Sequence, residues 1–180
     1  PPVSVPTTFY VENQIYPAPQ NVGPVDNTFG GGSIFTNTNY HDLVFDCFAA
    51  CKLVSVKVYA QGSGIRTITL KDNAGNTLQS IDINLPSGMS IATLNFDIPA
   101  GTDLELGCEG NVDLYRNNSG ATFPYDIAGL ISIKGTNAGS PGYYYYFYDW
   151  TVLGPPCVSA RTPVNVTIEP TPVTAFSFNY

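Results

Sequence analysis

Apolar and polar residues alternate with period two through most of this chain. A period of 3.6 is nowhere sustained, so the pattern predicts strands and no long helix. From Lys52 to Ala60 the alternation sets Val54, Val56 and Val58 inward. Ile68 and Leu70 continue it, with Thr67, Thr69 and Lys71 outward. Past the hairpin turn Asp72-Asn-Ala-Gly-Asn76, a return strand carries Ile81, Ile83 and Leu85. Leu94, Phe96 and Ile98 form the next inward set, followed by Leu104 and Leu106 and a short strand from Val112 to Arg116. Ile127, Ile131 and Ile133 share a face, and Val164, Val166 and Ile168 close the series. Turn residues separate about ten such strands at the spacing of sandwiches and barrels. The expected fold is all-β: an antiparallel β-sandwich of jelly-roll-like topology, with an immunoglobulin-like sandwich as the alternative.

Tyr143-Tyr-Tyr-Tyr-Phe-Tyr-Asp-Trp150 is the strongest strand signal and holds the only tryptophan. Alternation puts Tyr144, Tyr146, Tyr148, Trp150 and Val152 in the core. Tyr143, Tyr145, Phe147, Asp149 and Thr151 then face outward, three of them aromatic. Such a row is either a contact surface or is covered by a flanking strand, and the ends of the chain favour the second reading.

Those ends carry strand-like runs without partners: Thr7-Thr-Phe-Tyr-Val-Glu12 and Thr171-Pro-Val-Thr-Ala-Phe-Ser-Phe-Asn-Tyr180. An isolated strand cannot bury its own apolar face. The expected organisation is an N-terminal strand and linker over 1–25, a sandwich over 26–168 and a C-terminal strand-like segment over 169–180. The end strands would pack on neighbouring domains or on copies of the same chain.

Composition narrows the class. Only 12% of the 180 residues are charged and 43% are hydrophobic, which argues against disorder. A net charge of −7 with only seven Lys and Arg disfavours nucleic acid or an anionic membrane as a partner. No apolar run approaches the roughly 18 residues of a membrane span. The chain opens on Pro1-Pro2 with no signal peptide, and reads as a mature or excised product. Four cysteines allow three disulfide pairings, of which Cys47–Cys51 and Cys108–Cys157 are preferred. Such bridges imply an oxidising, extracellular setting. Zinc is disfavoured, since there is no Cys-x-x-Cys pair and His41 is the only histidine.

Seven segments carry a resemblance: Asp26-Asn-Thr-Phe-Gly-Gly, Leu43-Val-Phe-Asp46, Leu53-Val-Ser-Val-Lys-Val-Tyr59, Arg66-Thr-Ile-Thr-Leu70, Leu114-Tyr-Arg-Asn-Asn-Ser-Gly120, Tyr145-Tyr-Phe-Tyr-Asp-Trp150 and Cys157-Val-Ser-Ala-Arg-Thr-Pro163. Together, over roughly residues 26–168, they resemble a module that recurs in large secreted or cell-surface multidomain proteins of the Bacteroidota, often exported by type IX secretion. Thr7–Glu12 looks like the closing strand of a bacterial Ig-like repeat, and Pro172–Asn179 like the opening of a PKD-type domain. The resemblance implies an accessory module found beside proteases, glycosidases or adhesins, with no established catalytic residues to carry over. The Cys47–Cys51 pair departs from it.

Catalytic chemistry has little support. One histidine and no Gly-x-Ser-x-Gly elbow disfavour a nucleophilic triad, and His41 reads as a loop residue. A glycoside hydrolase would need two carboxylates converging in a cleft, which sequence alone does not show. Asp72, Asn73 and Asn76 offer oxygen ligands to calcium, but the closing glutamate of an EF-hand is missing and a solvated turn is the better reading. Asp26, Asn27 and Asp46 are a second weak calcium set, borrowed from fold analogy. No cofactor is expected beyond such a structural ion. Tyr115, Arg116, Asn117 and Asn118, with Tyr143, Tyr145 and Phe147, form the candidate ligand-binding set, a mix suited to stacking on sugars. An ordinary strand-to-loop transition at 114–120 competes with it. The expected function is therefore a non-catalytic extracellular structural or adhesion module, self-assembling through its terminal strands. A polysaccharide-binding module is the alternative.

Overall fold

The computed structural model describes residues 5–36, 41–110 and 112–168. β1 (Thr7–Val11) and β2 (Gln14–Ile15) open the chain. β3 (Gln20–Val22), β4 (Gly32–Phe35) and β5 (Leu43–Cys47) lead to the long strands β6 (Cys51–Ala60), β7 (Gly64–Lys71) and β8 (Thr77–Leu85). Next come β9 (Gly88–Ile98), β10 (Gly101–Glu109), β11 (Leu114–Asn117), β12 (Tyr125–Ile127) and β13 (Ile131–Thr136). The series closes with β14 (Tyr144–Tyr145), β15 (Tyr148–Leu153), β16 (Cys157–Val158) and β17 (Thr162–Val166).

The chain divides into two compact units, one holding Tyr16–Pro155 and the other the residues up to Ile15 and from Pro156 onward. The larger unit is an antiparallel β-sandwich. Its six-stranded sheet runs β12-β13-β5-β10-β7-β8; its seven-stranded sheet follows β14-β11-β6-β15-β3, with β4 on β11 and β9 on β6. From β5 to β10 the chain passes repeatedly from one sheet to the other. Together the two sheets hold thirteen strands among the described residues, more than the seven to roughly nine of a whole immunoglobulin domain.

Alternation builds the core almost as the sequence predicts. Val56, Val58, Ile68, Leu70, Leu94, Phe96, Leu104, Leu106, Ile131 and Ile133 are buried. Phe45 of the first sheet meets Trp150 of the second edge to face, with centroids 5.2 Å apart. Three differences stand out. The β6–β9 register shifts between Leu53 and Ser55, so Leu53 enters the core in place of Val54. Thr69, expected outward, is buried. Val164 and Val166 leave the sandwich, because β17 pairs with β1 in the smaller unit. The sandwich therefore starts earlier and ends earlier than the expected 26–168, and β3 belongs to it.

The aromatic stretch is not one straight strand. Tyr146 (φ +63°) and Asp149 (φ +44°) adopt the left-handed region, at a cost of order 1–3 kcal/mol each. Tyr146 breaks the stretch between β14 and β15, Asp149 kinks β15 itself, and together they undo the two-face prediction. All of Tyr144, Tyr145, Tyr146, Phe147 and Tyr148 are buried. The Phe147 carbonyl accepts from both the Tyr144 hydroxyl at 2.8 Å and the Trp150 indole at 2.7 Å, tying the kink together.

Candidate functional site

β11 and β14 lie side by side, pairing Arg116 with Tyr145 and Asn117 with Tyr144. This register gathers most of the candidate ligand residues, but turns them inward. The Arg116 guanidinium lies 4.9 Å from the Phe35 ring, 5.0 Å from Tyr143 and 5.6 Å from Tyr145. One of its terminal nitrogens donates to the Tyr145 hydroxyl at 3.0 Å. The His41 ring packs at the same place, tilted against Tyr145 at 5.0 Å and edge-on to Phe35 at 5.5 Å. Such cation–π contacts contribute about 0.5–2 kcal/mol depending on desolvation. Asn117 is wholly buried: its amide donates to the Asn27 carbonyl at 3.1 Å and to the Phe29 carbonyl, and its Oδ1 accepts from Tyr148 at 2.7 Å. Tyr115 is half-buried, held over Gly32, where an added Cβ would come within 2.7 Å of the ring. Asn118 alone is exposed, its backbone N–H bound to Gly31. Tyr145 and Phe147 are buried and Tyr143 half-buried, so the expected outward aromatic row does not form; Tyr143 and Tyr145, with Phe35, instead surround the half-buried Arg116 guanidinium. The covering comes from the sandwich itself, through the Tyr146 kink and Phe35, rather than from a terminal strand.

The four cysteines are free thiols. Cys47 and Cys51 close the β5–β6 turn with sulfurs 3.6 Å apart, against about 2.05 Å for a bond. The Cys51 hydrogen bond pulls the Cys47 thiol down, and the same contact together with burial pushes Cys51 up. The expected Cys108–Cys157 bridge is absent. Cys108 is enclosed in the sandwich core, where burial pushes its thiol up to about 12. Cys157 sits exposed in the other unit, drawn there by β16–β2 pairing.

The proposed calcium ligands serve turns and ion pairs instead. Asp72 accepts from the Ala74 and Asn76 backbone at 2.9 and 2.8 Å and from the Asn76 side chain at 2.9 Å, while Asn73 is exposed. Asp26 binds Thr28, the Asn27 carbonyl holds Asn117, and Asp46 pairs with Lys134 at 2.7 Å. Among the described residues no group of three or more His, Cys, Asp or Glu is placed to hold a metal ion.

One cluster escaped the sequence reading. Asp42 is 2% exposed, with Lys71 at 3.2 Å; Lys71 also reaches Glu109 at 3.1 Å. Asn137 caps the Asp42 backbone and donates to Glu105 at 3.4 Å. Burial and the neighbouring Asp42 hold the Glu105 carboxyl above its usual range. Burial pulls the Lys71 ammonium down, but Asp42 and Glu109 outweigh it and raise it. Glycine at 107 was the available signal, because a Cβ there would stand 1.8 Å from Asp42 Oδ1. The Gly107 backbone of β10 packs directly against that carboxylate.

The smaller unit has the opposite character. β1 and β17 form a ribbon whose register pairs Phe9 with Val164 and Thr7 with Val166. Phe9, Val11, Val164 and Val166 therefore share one face, and all four are exposed. On the other face Thr8 donates to Asn165 Oδ1 at 2.8 Å beside an exposed Tyr10. Arg161 pairs with Glu12 at 3.0 Å. Each of the two strands has a single partner among the described residues, which leaves an unpaired backbone edge on either side.

Comparison with protein-family models, with curated proteins and with solved structures finds no match for this chain.

Proposed function

We propose that this chain is a non-catalytic structural or adhesion module of an extracellular protein, and that it joins copies of itself through its terminal strands. The observation that supports this reading is the β1–β17 ribbon, with its uncovered apolar face of Phe9, Val11, Val164 and Val166. A two-stranded ribbon is marginal in water and gains stability from a further strand or a packed face. Its open edges are the kind that β-augmentation uses. The chain also supplies a candidate strand. Thr171–Tyr180 lies outside the described residues, but its sequence alternates Phe176, Phe178 and Tyr180 with small or polar residues. Donated from one copy to the ribbon of the next, it would string modules into a filament.

Light scattering on the intact chain, on a chain lacking residues 171–180 and on Phe9→Ser tests this. The intact chain is expected to run as concentration-dependent assemblies and both variants as monomers. Identical monomers for all three would sink the assembling reading.

A further inference from the structure

Beside the C-terminal end of β13 the loops 121–123 and 139–142 frame a cleft of about 580 Å³, within the usual range for small-molecule sites. Its lining combines one aromatic ring, Phe123, with the hydroxyls of Thr122, Thr136 and Ser140. Phe123 is rigidly backed: it stacks on buried Tyr144 at 5.9 Å and 15° and meets Tyr125 edge-on at 5.5 Å. The Tyr125 hydroxyl in turn accepts from the Thr122 backbone at 3.0 Å, which fixes the loop that carries the ring. The hydroxyls of Thr122 and Ser140 have no hydrogen-bond partner among the described residues. Thr136 Oγ1 accepts from the Ala138 backbone at 3.3 Å and keeps its proton to donate. The one cation, Lys134, is neutralised by Asp46 and Asp103, each at 2.7 Å.

We infer that this cleft binds a neutral oligosaccharide, with a pyranose ring seated against Phe123 and its hydroxyls held by Thr122, Thr136 and Ser140. A pyranose has one apolar C–H face and a rim of hydroxyl groups, which matches a ring beside free hydroxyls. An anionic sugar is disfavoured, because Lys134 is already paired and the chain carries a net charge of −7. A purely apolar ligand would strand the hydroxyls without partners. The site is remote in sequence from the terminal strands, and its occupancy does not depend on assembly.

Binding of the full chain to an array of neutral, sialylated and uronic oligosaccharides tests it, followed by calorimetric titration of the strongest neutral compound. Phe123→Ala removes the ring. Gly135→Gln blocks the cleft: Gly135 lines it, is not in the left-handed region, and an added Cβ would meet nothing within 4 Å. Both variants are expected to bind at least about tenfold more weakly, a loss of about 1.4 kcal/mol. Gly135→Gln is expected to keep the parent melting temperature, so that its loss of binding reports on the cleft alone. No binding to any neutral oligosaccharide, preference for the acidic ones, or binding untouched by Gly135→Gln would each overturn the assignment. None of these outcomes bears on the light-scattering result.

Discussion

In the sandwich unit Trp150, Phe45 and Leu53 are fully buried, whereas in the terminal unit Phe9, Tyr10 and Val164 stand 46%, 64% and 44% exposed. Both regions use the same local material, β-branched and aromatic residues in antiparallel pairs. What differs is the number of layers. The sandwich faces one sheet with another, so each inward side chain loses water on all sides and gains roughly 25 cal/mol per Å² of apolar surface removed. Among the described residues the ribbon pairs each strand along one edge and leaves Phe9 and Val164 exposed. Strand pairing satisfies the backbone; only a facing sheet makes a core.

Thiol labelling offers the sharpest way to break this contrast. Cys157 in the terminal unit should react with a maleimide at the rate of an exposed thiol. Cys108 should wait for opening of the sandwich and react about 10³-fold more slowly or worse. Equal rates, read by mass spectrometry of the peptides, would show that the two regions are alike. Truncation comes next. Trp150→Ala should cost about 3–5 kcal/mol in urea denaturation, and Phe9→Ala within about 0.5 kcal/mol at concentrations where the chain is monomeric. A similar loss at both positions would mean that the ribbon has a second layer of its own.

The smallest expected effect concerns charge within the sandwich. Burial and Asp42 raise the folded-state value of Glu105 above its unfolded one. Its contribution to stability is then fully present below the ordinary carboxylate range and is lost as pH rises through the raised value. Glu105→Gln should therefore raise the melting temperature by about 1–2 °C at neutral pH, and the gain should vanish near the ordinary carboxylate pKa. A gain that grew on acidification would show that the sign is wrong.

The legible part of the structure is the part governed by local period. Val56, Val58, Leu94, Phe96, Leu104 and Leu106 read correctly because each lies on a regular stretch of strand with one face covered. Val54 and the 143–150 stretch did not, because a bulge and two left-handed residues shift the phase that alternation assumes. The structure brings Arg116 against Tyr143 and Tyr145, whereas the sequence offered the 114–120 stretch and the 143–147 row as separate candidates and did not show that they meet. Nor did it show their direction, since the same residue types suit a sugar platform outside or a half-buried cation among rings. The Asp42 cluster drew no notice because it assembles residues far apart in the chain, and the Phe123 cleft drew none because the loops around it, within residues 121–142, carry no motif.

The sequence by itself determined an all-β chain, the turns that divide it, and the residues that would form a core if two sheets met. These follow from side-chain period and turn chemistry, which act over a few residues. Only the tertiary structure decided which strands faced a second sheet and which were left as a ribbon. It alone placed Tyr145 and Phe147 inside and assigned Cys108 and Cys157 to different units. Those outcomes depend on pairings across the length of the chain, such as Thr7 with Val166, and local pattern carries no information about them.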